Sequence, residues 1–172
     1  LVTGDVTIGS GNTLTIDPGV EVRFLKVSDD QSSGQDANRC ELNINGGSLI
    51  AEGTASDSIY FVSNAESPDE NDWYGIYNNG DIGTVRLSYV SYRHATYVFR
   101  GYLNFHGNES DSLRITHSHF RDMGSSVFQY LYAYSAARLT ISNNTFSDYS
   151  SFTNSTCYGY GGALLRIENN EF

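Results

Sequence analysis

Three groups of residues in this 172-residue chain have types and spacing that could do chemistry. The segment VFQYLYAY sets Val127, Gln129, Leu131 and Ala133 against Phe128, Tyr130, Tyr132 and Tyr134. A shift by one period of the chain's internal repeat places Tyr158 over Tyr132 and Tyr160 over Tyr134, with His106 and Asn108 one repeat earlier. Side chains alternate along a strand, so if the smaller face points inward, Tyr130, Tyr132, Tyr134, Tyr158 and Tyr160 form an exposed stripe. Such a stripe can stack on sugar rings or bury against another protein copy. The competing reading is a tyrosine ladder that only braces neighbouring strands. In the second group, Asp69, Glu70 and Asp72 with Asn71 offer oxygen ligands for Ca²⁺. They miss the EF-hand spacing, a solvated acidic loop is the preferred reading, and no cofactor is expected. In the third, His117 and His119, with Asp122 near, could share a metal, but a lone His pair lacks the further ligands a stable site needs.

The elements that must hold these residues emerge from the repeat. LRITHSHF starts at Leu113, LTISNNTF at Leu139 and LRIENNEF at Leu165, evenly spaced. The first, third and eighth residues of each copy are apolar: Leu113, Ile115 and Phe120; Leu139, Ile141 and Phe146; Leu165, Ile167 and Phe172. The alternation marks a strand with one buried face, and the jump to Phe marks a bend after which the chain points inward again. Weaker copies are read one repeat before Leu113, at Val85 with Leu87 and Tyr92, and one repeat earlier still, at Ile59 with Phe61. The unit is too long for a hairpin and lacks helical spacing, so each repeat is several short strands joined by turns. The expected fold is an all-β, right-handed parallel β-helix with about 26 residues per coil in the C-terminal half and shorter coils at the N-terminus. Asn143 and Asn169, with His117 before them, fall at the bend, as do Asn144 and Asn170, with Ser118 before them. They are expected to hydrogen-bond the turn backbone and each other. A single domain, 1–172, is expected to carry protruding loops near 28–39 and 63–72, and the start at Leu1 and stop at Phe172 read as an excerpt or processed part of a longer chain.

Composition narrows the function. A net charge of −10 with only ten Lys and Arg argues against nucleic acid as a partner. No run approaches the roughly 20 apolar residues that cross a bilayer, so no transmembrane segment is expected. Outward rows can be read from the repeat: Arg114, Thr140 and Arg166 share one, and Thr116, Ser142 and Glu168 the next. Neither row holds a carboxylate pair, and the arginines look scattered, so no basic cleft for an anionic polymer is expected. Cys40 and Cys157 lie about four coils apart, near 19 Å at about 4.8 Å per coil, too far for a disulfide. Cys157 reads as core and Cys40, beside the long loop, as exposed.

The string GDVTIGSGNTLTIDPGVEVRF, then GGSLIAEGTASDSIYFVS, DWYGIY and the L-x-I-x-x-N-x-F coils resemble, in that order, the secreted bacterial right-handed parallel β-helix repeat proteins of the pectate-lyase-like solenoid superfamily. The resemblance implies a solenoid and an extracellular or cell-surface location. It does not imply one activity, because that solenoid carries lyases, hydrolases, adhesins and spacers alike. The expected function is a non-catalytic structural or adhesive module whose partners are itself, other surface proteins or glycans. The alternatives are a polysaccharide lyase or glycoside hydrolase fragment and a glycan-binding module.

Overall fold

The computed structural model describes residues 1–105, 112–134, 137–151 and 153–172, with backbone alone at 79–80, 102–103, 105, 129–130 and 153–158. Among the described residues there are 17 strands and no helix: β1 (Val6–Gly9), β2 (Thr13–Ile16), β3 (Glu21–Phe24), β4 (Glu41–Asn45), β5 (Ser48–Glu52), β6 (Ile59–Ser63), β7 (Gly75–Ile82), β8 (Val85–Ser88), β9 (Val90–Arg93), β10 (Phe99–Phe105), β11 (Leu113–Thr116), β12 (His119–Arg121), β13 (Phe128–Ala133), β14 (Arg138–Ser142), β15 (Thr145–Phe146), β16 (Thr153–Gly159) and β17 (Leu164–Glu168). Every third strand shares a sheet. The first sheet runs β1-β4-β7-β10-β13-β16, the second β2-β5-β8-β11-β14-β17 and the third β3-β6-β9-β12-β15. Neighbouring strands pair in parallel throughout, for example β11 with β14 and β10 with β7. A parallel pair needs a long crossover, and here the other two strands of each round supply it, an arrangement consistent with a parallel β-helix.

The ladders read from the repeat are present. Val85, Leu113, Leu139 and Leu165 are register partners in turn, as are Leu87, Ile115, Ile141 and Ile167. In the third sheet Phe61, Tyr92, Phe120 and Phe146 align. Phe120 and Phe146 stack at 5.0 Å, and Phe146 and Phe172 at 5.5 Å. Each buried rung removes a large apolar side chain from water, worth about 1.5–3 kcal/mol, and ring stacking adds about 0.5–1.5 kcal/mol.

The bends explain the polar repeats. Tyr89, His117, Asn143 and Asn169 adopt φ values of 49, 53, 58 and 53°, the left-handed region that Asn tolerates best among residues with a side chain. The next residue holds the turn together. Asn144 Oδ1 accepts from the Ser118 amide at 3.0 Å, while Asn144 Nδ2 donates to the Ile115 carbonyl at 2.9 Å and to Asn170 Oδ1 at 3.0 Å. Asn170 Nδ2 donates to the Ile141 carbonyl at 2.9 Å. Ser118 serves the same end with a shorter side chain, its Oγ accepting from the Val90 amide at 3.0 Å.

Two expectations about the first half need correction. The copy at Ile59 belongs to the third sheet, where Ile59 pairs with Val90, and the true partners of Val85 and Leu87 are Leu49 and Ala51. The early rounds are longer rather than shorter: the register partners Leu14, Leu49 and Val85 stand further apart along the chain than Val85, Leu113 and Leu139 do. The loops near 28–39 and 63–72 add that length while the strands stay short, so counting back by the later period lands on the wrong strand.

Candidate functional site

Tyr132 and Tyr134 project from the first sheet opposite the buried Leu131 and Ala133, so the smaller face does point inward. Tyr158 is the register partner of Tyr132, and the Tyr134 and Tyr160 rings stack at 5.2 Å with 8° between planes. Tyr132 and Tyr134 lie 6.2 Å apart, and Tyr160 is 47 % exposed. The side chains of Tyr130 and Tyr158 lie outside the described residues, as do His106 and Asn108. Two details of the reading change. The neighbour of Tyr132 in β10 is Asn104, because the round from Asn104 to Tyr132 is longer than the one from Tyr132 to Tyr158. Phe128 does not join the tyrosine face: the register shifts between Phe99 and Tyr102 and between Phe128 and Tyr130, so Phe128 turns inward, is buried and stacks on Phe99 at 5.4 Å. Gly101, at φ 89°, sits in the shifted stretch of β10, where a Cβ would come within 2.0 Å of the Asn78 carbonyl oxygen.

The same sheet carries an aromatic and arginine group on its earlier strands. Tyr77 pairs in register with Arg100, whose Nε donates to Tyr74 Oη at 3.3 Å and whose guanidinium lies 5.0 Å from the Tyr97 ring centroid. Arg39 lies 5.8 Å from the Tyr74 ring. Burial raises both the Tyr74 and Tyr77 phenols, which therefore stay protonated at neutral pH.

The acidic run divides. Asp72 is buried, its Oδ1 3.1 Å from Lys26 Nζ and its Oδ2 accepting from the Asp69 amide at 3.1 Å, which makes it a tie for the loop. Asp69 and Glu70 line a groove of about 320 Å³ with Pro68, His94, Asp122 and Asp148. His94, Asp122 and Asp148 occupy a second left-handed bend, at φ 66, 55 and 52°. His94 Nδ1 accepts from the Ser63 amide at 3.4 Å and its Nε2 lies 3.9 Å from Asp122 Oδ2. Burial lowers the His94 pKa more than Asp122 restores it, so the ring is neutral at neutral pH. Among the described residues no group of three or more His, Cys, Asp or Glu side chains is arranged to hold a metal ion. The apolar pattern alone does not mark this groove, although Phe120-Arg121-Asp122 and Phe146-Ser147-Asp148 carry its signal at the same spacing as the ladders.

The two histidines go to different surfaces. His117 stacks on Tyr89 at 4.9 Å, whereas His119 faces out of the third sheet. There the expectation of scattered arginines fails, since Arg93 and Arg121 are register partners in β9 and β12. On the second sheet the rows are as read, with Arg86, Arg114, Thr140 and Arg166 aligned and Arg114 ion-paired with Glu52.

Cys40 is buried, contrary to expectation, because it packs into the hydrophobic core with Leu42 and Ile44, and its Sγ donates to the Ser28 carbonyl at 3.0 Å. Burial pushes the thiol up to about 11, so it is neither a thiolate nor accessible. Beside it Glu41 is fully buried. Burial is the largest cause and Asp5 a smaller one in raising its carboxyl to about 7.

No family model, curated protein or solved structure matches this chain.

Proposed function

We propose that the chain is a right-handed parallel β-helix serving as a non-catalytic extracellular or cell-surface adhesive module, which docks hydroxyl-rich glycan chains on the tyrosine face of its first sheet. The hand follows from the rule that crossovers between parallel strands of one sheet are right-handed. The observation that carries the reading is the outward series Tyr132, Tyr134 and Tyr160, with Tyr134 touching Tyr132 along the chain and Tyr160 across the ends of β13 and β16. Because the Tyr134 and Tyr160 rings stack on each other, that part of the surface offers ring edges and phenols rather than open ring faces. Rigid tyrosines also lose little conformational entropy when they bind. Such a comb suits a polymer lying along the sheet. A second copy of the chain is disfavoured by the repulsion between two bodies of charge −10.

Affinity electrophoresis through gels containing xylan, galactomannan or hydroxyethyl cellulose tests this reading. At least one polymer is expected to retard the protein, and the double substitution Tyr132→Ser with Tyr160→Ser is expected to weaken retardation about tenfold or more. Equal retardation of both proteins, or none by any polymer, overturns the reading. Release of new reducing ends that disappears with Asp122→Asn would replace it with hydrolysis in the acidic groove. Growth of particles with concentration in light scattering, abolished by the tyrosine substitutions, would give the face to a second copy.

A further inference from the structure

We propose that the third sheet carries a separate binding site, formed by Arg93 and Arg121, for the carboxylate groups of an acidic polysaccharide. Arg93 and Arg121 are register partners on the outward face of β9 and β12, and Tyr60, Ser91 and His119 are register partners one row away. Adjacent strands lie about 4.8 Å apart, so two of the chain's ten basic side chains sit next to each other in a protein of charge −10. Placing like charges opposite each other costs stability unless something offsets the repulsion.

Little within the chain does. Arg121 Nε lies 3.4 Å from Asp122 Oδ2, while among the described residues no carboxylate comes within ion-pairing distance of Arg93. Arg93 Nε donates to Ser91 Oγ at 2.9 Å, a bond that fixes the guanidinium plane. Burial, and after it the Arg121 charge, push the Arg93 guanidinium below its ordinary value, the signature of a cation partly stripped of water beside another cation. One carboxylate therefore stands beside two guanidiniums and pairs with only one of them, Arg121.

The surroundings define what would complete the set. The arginines line a groove of about 280 Å³ with Ser58, Tyr60, Ser91 and His119. Its walls come from β6, β9 and β12, three successive strands, so it runs across the strands and fits a chain lying over them better than an enclosed small molecule. The guanidinium fork matches a planar carboxylate through two parallel hydrogen bonds. Ser58 and Ser91 supply hydroxyls of the kind that pair with sugar hydroxyls, and Tyr60, 38 % exposed, supplies a ring beside them. Nucleic acid fits poorly: two arginines release few counterions, and the acidic body repels a polyphosphate.

Galacturonate oligosaccharides titrated into the whole chain by calorimetry give the test. Arg93→Gln and Arg121→Gln are each expected to weaken binding about tenfold, and methyl-esterified oligosaccharide to bind at least as poorly. Arg121→Lys, which keeps the charge without the fork, should fall between. Arg166→Gln, an exposed arginine on the second sheet, should leave binding unchanged. The Tyr132 and Tyr160 substitutions should also leave it unchanged, which separates failure here from failure of the glycan docking on the first sheet. Unchanged thermal melting of each variant checks that the fold is intact. Absence of galacturonate binding, equal weakening by Arg166→Gln, or tighter binding of a sulfated oligosaccharide through the same two arginines would each overturn the carboxylate assignment.

Discussion

The two halves of this chain solve one problem by different means. From Val85 onward, register partners recur at a nearly constant spacing, and the bend between the second and third sheets is closed by side chains that repeat with the strands, Ser118, Asn144 and Asn170. Before Val85 the rounds are longer, and their loops are tied by contacts that occur once. The Val27 amide donates to the Asp72 carbonyl at 2.8 Å, Arg39 Nη1 donates to Thr96 Oγ1 at 2.8 Å, and Trp73 Nε1 donates to the Arg93 carbonyl at 2.9 Å. Repetition lets the later half share its supports between neighbours. The earlier half concentrates them in a few residues, which should make it the half more easily broken by one substitution.

Trp73 is where that contrast breaks most sharply. It is fully buried, stacked on Phe24 at 3.7 Å with 1° between planes, and 4.8 Å from the Tyr92 ring. Trp73→Ala removes this packing and its hydrogen bond together and should cost about 4–5 kcal/mol, at the upper end for aromatic truncation. Phe146→Ala, in the regular half, should cost about 3 kcal/mol. Urea midpoints of the two variants decide the matter, and a larger loss at Phe146 would reverse the contrast between the halves.

The same contrast explains what the sequence disclosed. The ladders at Leu113, Ile115 and Phe120 were legible because a constant period superimposes identical residues, and the asparagines because they sit at the break in alternation. The members Leu49 and Ala51 were hidden by the loops, which change the period without changing the strands. Phe128 was misplaced because a register shift reverses alternation without changing residue types. The Arg93 and Arg121 pair is not visible in the apolar pattern because it stands one residue past Tyr92 and Phe120, the last apolar positions that superimpose. Cys40 is misjudged by its place beside the polar stretch SDDQSSGQDANR, although it alternates with Leu42 and Ile44, with which it shares the core.

A smaller effect tests whether the asparagine ladder is a shared support. Asn144 is 2 % exposed and holds the Ser118 amide and the Ile115 carbonyl, so Asn144→Ala strands both and should cost about 2–3 kcal/mol. Asn170 makes the equivalent bonds but is half-buried, and water can replace part of what is lost. Its truncation should cost about 1 kcal/mol. Equal losses in chemical denaturation would show that burial does not set the worth of a rung.

The effect that changes with pH belongs to the earlier half. The 28–39 segment closes over Glu41, whose Oε1 accepts from the Gln35 amide while its amide donates to Asp5 Oδ1 at 3.1 Å. Gly34, at φ 66°, lies so close that a Cβ there would sit 1.6 Å from Oε1, so the segment leaves the carboxyl no room to reach water. Glu41 Oε2 is buried without a hydrogen-bond partner among the described residues. Its pKa is raised from 4.5 to about 7, so between these values the folded state holds a proton that the unfolded state has released. Stability from this group is therefore fully present below pH 4.5 and is lost as pH rises through about 7. Glu41→Gln keeps the shape and removes the charge. It should leave stability nearly unchanged near pH 4.5 and raise it by about 3 kcal/mol near pH 8. Thermal melts of both proteins across that range measure the difference directly. A gain that is the same at both ends would mean that the substitution acts through packing, and that the segment tolerates the charged carboxylate as well as the neutral amide.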